Sequence, residues 1–96
     1  MTASLKYRID GYDGSELLFS KMIPSGHITE AQLEALLQRL ASLHLNYDEI
    51  VESSLKLGTA GRKSLLDVQR SGVGQKFTMS VGEGHHFVAT IEENHK

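Results

Sequence analysis

The stretch ITEAQLEALLQRLASLHLN, residues 28–46, decides the fold. Thr29 followed three residues later by Gln32 is the pattern of a capping box, in which each side chain bonds the other residue's backbone amide at a helix start. The leucines that follow recur at the spacing that places them on one face of a helix. They are Leu33, Leu36, Leu37, Leu40 and Leu43. We therefore predict an amphipathic helix over about residues 30–44, which Asn46 ends in a left-handed conformation.

The segment before this helix has the pattern of a β-hairpin. In Ser4–Asp10 apolar and charged residues alternate, which is typical of a strand with one solvent-facing side. The Gly11–Ser15 sequence, GYDGS, contains an Asp-Gly pair that favours a tight hairpin turn. Glu16–Ile23 is apolar enough to form the second strand of the pair.

The segment after the helix has the pattern of three short strands. They are predicted at Ser64–Arg70, Lys76–Val81 and Phe87–Glu92, separated by the glycine-bearing turns SGVGQ and GEGHH. Turns this short require antiparallel neighbours, because parallel strands need crossovers of a dozen or more residues. The predicted order is therefore ββαβββ: a hairpin, one long helix and an antiparallel meander. A helix laid across such a sheet gives an α+β two-layer sandwich, and we treat residues 1–96 as one domain.

The segment Asp48–Leu57 fits two structures. As a helix it groups Ile50, Val51, Ser54 and Leu55. As a strand it groups Val51, Ser53, Leu55 and Leu57. We expect a helical turn around Asp48–Val51 that leads into a short strand, and helix and strand both remain open.

Composition excludes several classes of protein. A chain with 40% hydrophobic and 23% charged residues is in the globular range, which argues against disorder. The absence of cysteine excludes disulfide scaffolds, thiolate metal sites and thiol chemistry. No apolar run approaches the ~18–20 residues that span a bilayer, so we expect no membrane partner. The start of the chain, MTASLKYRID, has no apolar signal core, so a cytoplasmic location is expected.

Charge is distributed unevenly along the chain. Residues 56–76 hold five basic residues and one acid, a local charge of +4, although the whole chain has a net charge of −2. Because alternate turns of a meander share one end, the loop at Arg62 and Lys63 is expected beside the turn that carries His85 and His86. These four residues are the predicted rim, which could bind a small anion or an acidic partner.

No pattern of catalytic or metal-binding residues stands out. The Gly58–Ser64 sequence, GTAGRKS, differs from a phosphate-binding loop, since only two residues separate its glycines and a predicted strand follows it. His85 and His86 are adjacent, so on a strand they point to opposite faces and chelate poorly. No G-x-S-x-G sequence supports a serine nucleophile. We therefore predict no catalytic residue, no metal and no cofactor.

The predicted second strand carries apolar residues on both faces. Leu17, Phe19 and Ile23 alternate with Leu18 and Met22. One helix covers only part of one sheet face, so these residues predict a contact surface, unless Asp48–Leu57 covers the second face. The residues assigned to this surface are Leu18, Ser20 and Met22.

The sequence thus favours a small non-catalytic protein-interaction domain that forms a homodimer and binds a protein partner of unknown identity. The alternative is small-anion or nucleic-acid binding through residues 56–76. Nucleic acid is the less favoured ligand, because the nearby aromatic residues Phe77 and Phe87 are needed for the core.

Overall fold

The computed structural model describes residues 4–94, apart from the side chains of Ser4, Gln75 and Asn94. The elements in chain order are β1 (Ser4–Asp13), β2 (Glu16–Pro24), α1 (Glu30–Ser42), α2 (Tyr47–Ser53), β3 (Val68–Ser71), β4 (Thr78–Glu83) and β5 (His85–Asn94). Short 3₁₀ turns lie at Ser25–His27 and Gly74–Lys76. Within residues 4–94, five strands form one antiparallel sheet in the order β2-β1-β5-β4-β3.

The two halves of the chain meet through the pairing of β1 with β5. This pairing runs over ten positions, from Ser4 opposite Asn94 to Asp13 opposite His85. The N-terminal hairpin and the C-terminal meander therefore form one sheet, with β5 at its centre. The predicted α+β class and the order hairpin, helix, meander are confirmed, with α2 added between helix and meander.

Helix α1 begins at the predicted capping box. The Thr29 hydroxyl accepts a hydrogen bond from the Gln32 amide at 3.1 Å, and the Gln32 side-chain oxygen accepts one from the Thr29 amide at 3.0 Å. Its buried face packs on β4 and β5. The buried core consists of Tyr7, Ile9, Leu33, Leu37, Ala41, Phe77, Met79, Val81, Phe87 and Ala89. Leu43, which the spacing placed on the buried stripe, is 77% exposed, because the helix ends at Ser42.

The ambiguous segment forms a helix and no strand. Asn46 does not adopt the left-handed conformation that was predicted, because its φ is −83° and it caps the start of α2. Its side chain accepts a hydrogen bond from the Glu49 amide at 2.8 Å, and the Glu49 carboxylate accepts one from the Asn46 amide at 3.0 Å. The predicted helical turn is confirmed, whereas the short strand predicted to follow it within Asp48–Leu57 is wrong. Helix α2 makes no extended contact with any described strand, so it does not cover the second face of the sheet.

The strands of the meander differ from their predicted bounds. The segment 64–67 forms a turn, so the strand predicted from Ser64 starts only at Val68. This turn is held by the Gln38 side-chain amide, which donates to the Leu66 carbonyl at 2.9 Å. The turn predicted as GEGHH is shorter than expected, since Glu83 lies opposite His85 and only Gly84 separates them. Both histidines therefore belong to β5.

Candidate functional site

Strand β2 forms one edge of the sheet and differs strongly from the strand at the other edge. It is nine residues long, and eight of the nine are exposed. The opposite edge strand, β3, has only four residues. An edge strand directs unpaired backbone N–H and C=O groups outward, and short edge strands limit their pairing with other chains. Only β2 therefore offers a long free edge among the described strands.

The exposed side chains of β2 are largely apolar. Leu17, Leu18, Phe19 and Met22 are between 38% and 49% exposed. Helix α1 lies over β4 and β5 and makes no extended contact with β2. We call these four side chains, together with the outer edge of β2, the β2 surface. Contiguous exposed apolar side chains of this kind are typical of interaction surfaces.

A β-bulge changes which β2 residues share a face. Gly11 lies opposite Phe19, and the next β1 residue, Tyr12, lies opposite Leu17, so Leu18 is the extra residue of the bulge. Strict alternation had placed Leu18 on one face with Ser20 and Met22. In the structure Leu17 shares that face with Ser20 and Met22, so the predicted face assignment of Leu17 is wrong.

Ser20 is bonded within the chain. Its hydroxyl donates to the Asp10 carboxylate at 2.6 Å, and that buried carboxylate also accepts from Arg8 Nε at 3.1 Å. Arg8 Nη1 reaches the Glu92 carboxylate at 3.3 Å. The Asp10 hydrogen bond, with a smaller contribution from Glu92, raises the pKa of Arg8 above its ordinary value. This network fixes β2 against β1 by satisfying a buried charge, so the Ser20 hydroxyl helps to position the β2 surface, although Ser20 itself is exposed.

The two cations of the predicted rim are paired inside the chain. Arg62 Nη2 lies 2.6 Å from the Asp67 carboxylate, and Arg62 Nε donates to the Leu55 carbonyl at 2.8 Å. The hydrogen bond from Arg62 lowers the pKa of the Asp67 carboxyl. Lys63 Nζ lies 3.5 Å from the Glu52 carboxylate. These acids neutralise much of the positive charge that the sequence assigned to the rim.

The two histidines of the predicted rim lie on opposite faces of the sheet. His85 stacks on His44 with ring centroids 4.0 Å apart, and its Nε2 lies 3.7 Å from Asp13 Oδ2. His86 stacks on Tyr12 at 5.2 Å. Leu65 and His85 line one small cavity of about 40 Å³, so the segment that follows Lys63 lies beside the start of β5. The structure therefore brings the two segments together without gathering all four side chains on one surface.

The His44–His85 stack and the Arg8–Asp10–Ser20 network were not predicted from the sequence. The alternation of apolar and charged residues in Ser4–Asp10 does predict that Arg8 and Asp10 share the polar face of β1. Nothing local to either segment shows that Ser20 lies beside Asp10, because this depends on the register between β1 and β2.

The described residues contain little that suggests other kinds of site. Within residues 4–94, no group of three or more histidine or acidic side chains is placed to hold a metal ion. None of the helices in this range is long and apolar enough to cross a membrane. The chain matches no model of a known protein family, no curated protein and no solved structure. The β2 surface is thus the best-supported candidate site.

Proposed function

We propose that this chain is a small non-catalytic protein-interaction domain that self-associates through the β2 surface. The observation that carries the proposal is a nine-residue edge strand with four exposed apolar side chains, left uncovered by both helices. The most direct occupant is a second copy of the chain, since two-fold homodimers are the commonest closed assemblies. An acidic protein partner at the predicted rim and a cytoplasmic location remain predictions from the sequence.

The free energies of side-chain burial and of association predict a reversible dimer. Fully burying a leucine, phenylalanine or methionine side chain contributes about 1.5–3 kcal/mol, so completing the burial of a half-exposed one contributes about 0.5–1.5 kcal/mol. Two copies bring eight such side chains, or about 4–12 kcal/mol. Association costs about 4–15 kcal/mol in lost translational and rotational freedom. The two ranges overlap, so backbone hydrogen bonds between the edges decide the affinity, and association depends on concentration.

The test is size-exclusion chromatography with in-line light scattering over a concentration series of about 1 μM to 1 mM, which covers association free energies of about −8 to −4 kcal/mol. We expect the mass to rise from 10.6 kDa toward twice that value. Leu18→Lys is expected to shift the equilibrium to monomer. Leu57→Lys is the matched control, because Leu57 is 80% exposed in the loop after α2 and the added charge is the same. A monomeric wild type throughout the series contradicts the proposal.

The alternative function is binding of a small anion or nucleic acid by residues 56–76. In the described part of the chain, Lys56 and Lys76 form no ion pair and support this alternative. The arginines weaken it, since Arg62 pairs with Asp67, and Arg70 pairs with Glu30 and Glu34. It predicts binding to mixed oligonucleotides that weakens steeply with salt, because binding releases counterions. Absent or salt-insensitive binding would remove it.

A further inference from the structure

We propose that two copies pair β2 with β2 in antiparallel orientation, about a two-fold axis between Leu18 and Phe19, so that Glu16 lies opposite the partner's Lys21. This inference rests on the proposed function and specifies its geometry. The result would be one continuous ten-stranded sheet that spans both copies.

The β-bulge makes this pairing possible. A two-fold axis between antiparallel edges stands perpendicular to the sheet, so opposed residues must come from the same face of each copy. Residues five apart on a regular strand point to opposite faces. Here Glu16 lies opposite Asp13, and Lys21 lies opposite Ile9, and these two β1 residues share a face. The extra residue Leu18 puts Glu16 and Lys21 on the same face of the sheet. The two residues can therefore lie opposite each other across the axis.

The positions between Glu16 and Lys21 also match in this register. Leu17 lies opposite Tyr12 and Ser20 lies opposite Asp10, so Leu17 and Ser20 share the other face and can oppose each other between copies. Leu18 and Phe19 of both copies then surround the axis. The arrangement gathers Leu17, Leu18 and Phe19 of both copies between two ion pairs, whereas Met22 lies outside the paired segment.

Other registers leave charges opposed or unpaired. A pairing centred on Lys21 sets two ammonium groups opposite each other, which is destabilising. A pairing centred on Ser20 sets Lys21 opposite Phe19. With the bulge residue Leu18 left unpaired, it sets Glu16 opposite Ile23, so neither charge gains a partner. A lysine and a bulge on an edge strand normally oppose pairing with other chains. Here Lys21 and the bulge permit the proposed register and disfavour the other registers.

The first experiment is a charge swap, read by the dimer dissociation constant from light scattering or sedimentation equilibrium. Glu16→Lys and Lys21→Glu each place like charges opposite one another twice per dimer, and each is expected to raise the Kd on the order of tenfold. The double variant Glu16→Lys/Lys21→Glu restores both pairs with reversed sign and is expected to restore the wild-type Kd. Lys56→Glu, which reverses one charge outside β2, is the control and is expected to leave the Kd unchanged.

The second experiment uses the absence of cysteine from the chain. In the proposed register, Leu17→Cys/Ser20→Cys gives disulfide-linked dimers on mild oxidation, because opposed Cα atoms lie about 4.5–5.5 Å apart. Leu17→Cys/Met22→Cys is the matched variant, since the register centred on Ser20 would oppose those two positions instead.

The outcomes separate the two proposals. Restoration by the double charge swap, with cross-linking of only the Leu17/Ser20 pair, supports the register. A dimeric wild type without restoration, or one that cross-links only through the Leu17/Met22 pair or through neither pair, overturns the register and leaves self-association standing. A wild type that stays monomeric overturns both.

Discussion

Arg62 organises the loop that leads into β3 through three bonds from one guanidinium. Two reach the Asp67 carboxylate, at 2.6 and 3.2 Å, and the third reaches the Leu55 carbonyl at 2.8 Å. The forked geometry of arginine suits this two-point contact with a carboxylate. Lys63 beside it makes a single 3.5 Å contact with Glu52, in which both side chains are substantially exposed. Arg62 therefore holds this loop in place, whereas the neighbouring Lys63 makes only one exposed contact.

This difference predicts a pH-dependent effect of Asp67→Asn. Because the Arg62 hydrogen bond lowers the pKa of Asp67 in the folded state, the pair stabilises the protein above the ordinary aspartate pKa of about 3.9. That stabilisation is lost as pH falls through the lower folded-state pKa. We expect Asp67→Asn to unfold at a lower temperature than wild type at pH 7, with the difference shrinking in acid.

Thermal unfolding followed by circular dichroism across a pH series measures this effect. Glu52→Gln is the control, because it breaks an exposed single contact and is expected to change the unfolding temperature little. Equal unfolding temperatures of Asp67→Asn and wild type at neutral pH would show that the pair contributes nothing.

Among the elements, α1 shows how far a leucine spacing determines burial. Leu37 and Leu43 belong to the same predicted stripe, but Leu37 is fully buried and Leu43 is 77% exposed. Leu37→Ala is expected to lower the free energy of unfolding by about 2–5 kcal/mol, because it leaves a cavity against β4 and β5. Leu43→Ala removes the same atoms from the end of the helix, and we expect it to change the free energy of unfolding by less than about 0.5 kcal/mol. Urea unfolding measures both values, and similar losses for the two variants would contradict the observed end of the helix.

The sequence predicts elements whose signals are local. The capping box of Thr29 and Gln32 and the leucine period specify α1 within one segment, and the hairpin turn at Gly14 is equally local. The predictions fail where two local signals compete. Asparagine is common both at the end and at the start of a helix. Asn46 lies at the start of α2, where its side chain accepts a hydrogen bond from the Glu49 backbone amide.

The candidate site was predicted as a segment but not in its detail. Apolar residues on both faces of Glu16–Ile23 marked an uncovered strand. Which of them share a face depends on the bulge beside Gly11, and this position is set by contacts from distant parts of the chain. A Cβ at Gly11 would come within 2.6 Å of the Phe87 ring and 3.4 Å of the Phe19 ring, so glycine leaves space for aromatic rings from both neighbouring strands. No periodicity within residues 16–23 contains that information.

Across the whole molecule, stabilising contacts are concentrated away from β2. Helix α1 packs on β4 and β5, and Arg70 on β3 ties that side of the sheet to Glu30 and Glu34 of the helix. Strand β2 depends on its pairing with β1 and on the Ser20–Asp10 bond. We therefore expect β2 to be the strand whose amides exchange most readily in the monomer, since exposed backbone with few buried contacts opens at low free-energy cost.

Self-association predicts that this low protection of β2 depends on protein concentration. A partner that binds only the folded state stabilises it by mass action, and pairing at the edge shields the β2 amides directly. Hydrogen–deuterium exchange at low and high concentration is expected to show protection rising in peptides covering residues 16–24, while peptides covering α2 do not change. Leu18→Lys is expected to abolish the concentration dependence, whereas Leu57→Lys is expected to retain it. If β2 protection is the same at all concentrations while light scattering reports a dimer, the two copies meet through a surface other than β2.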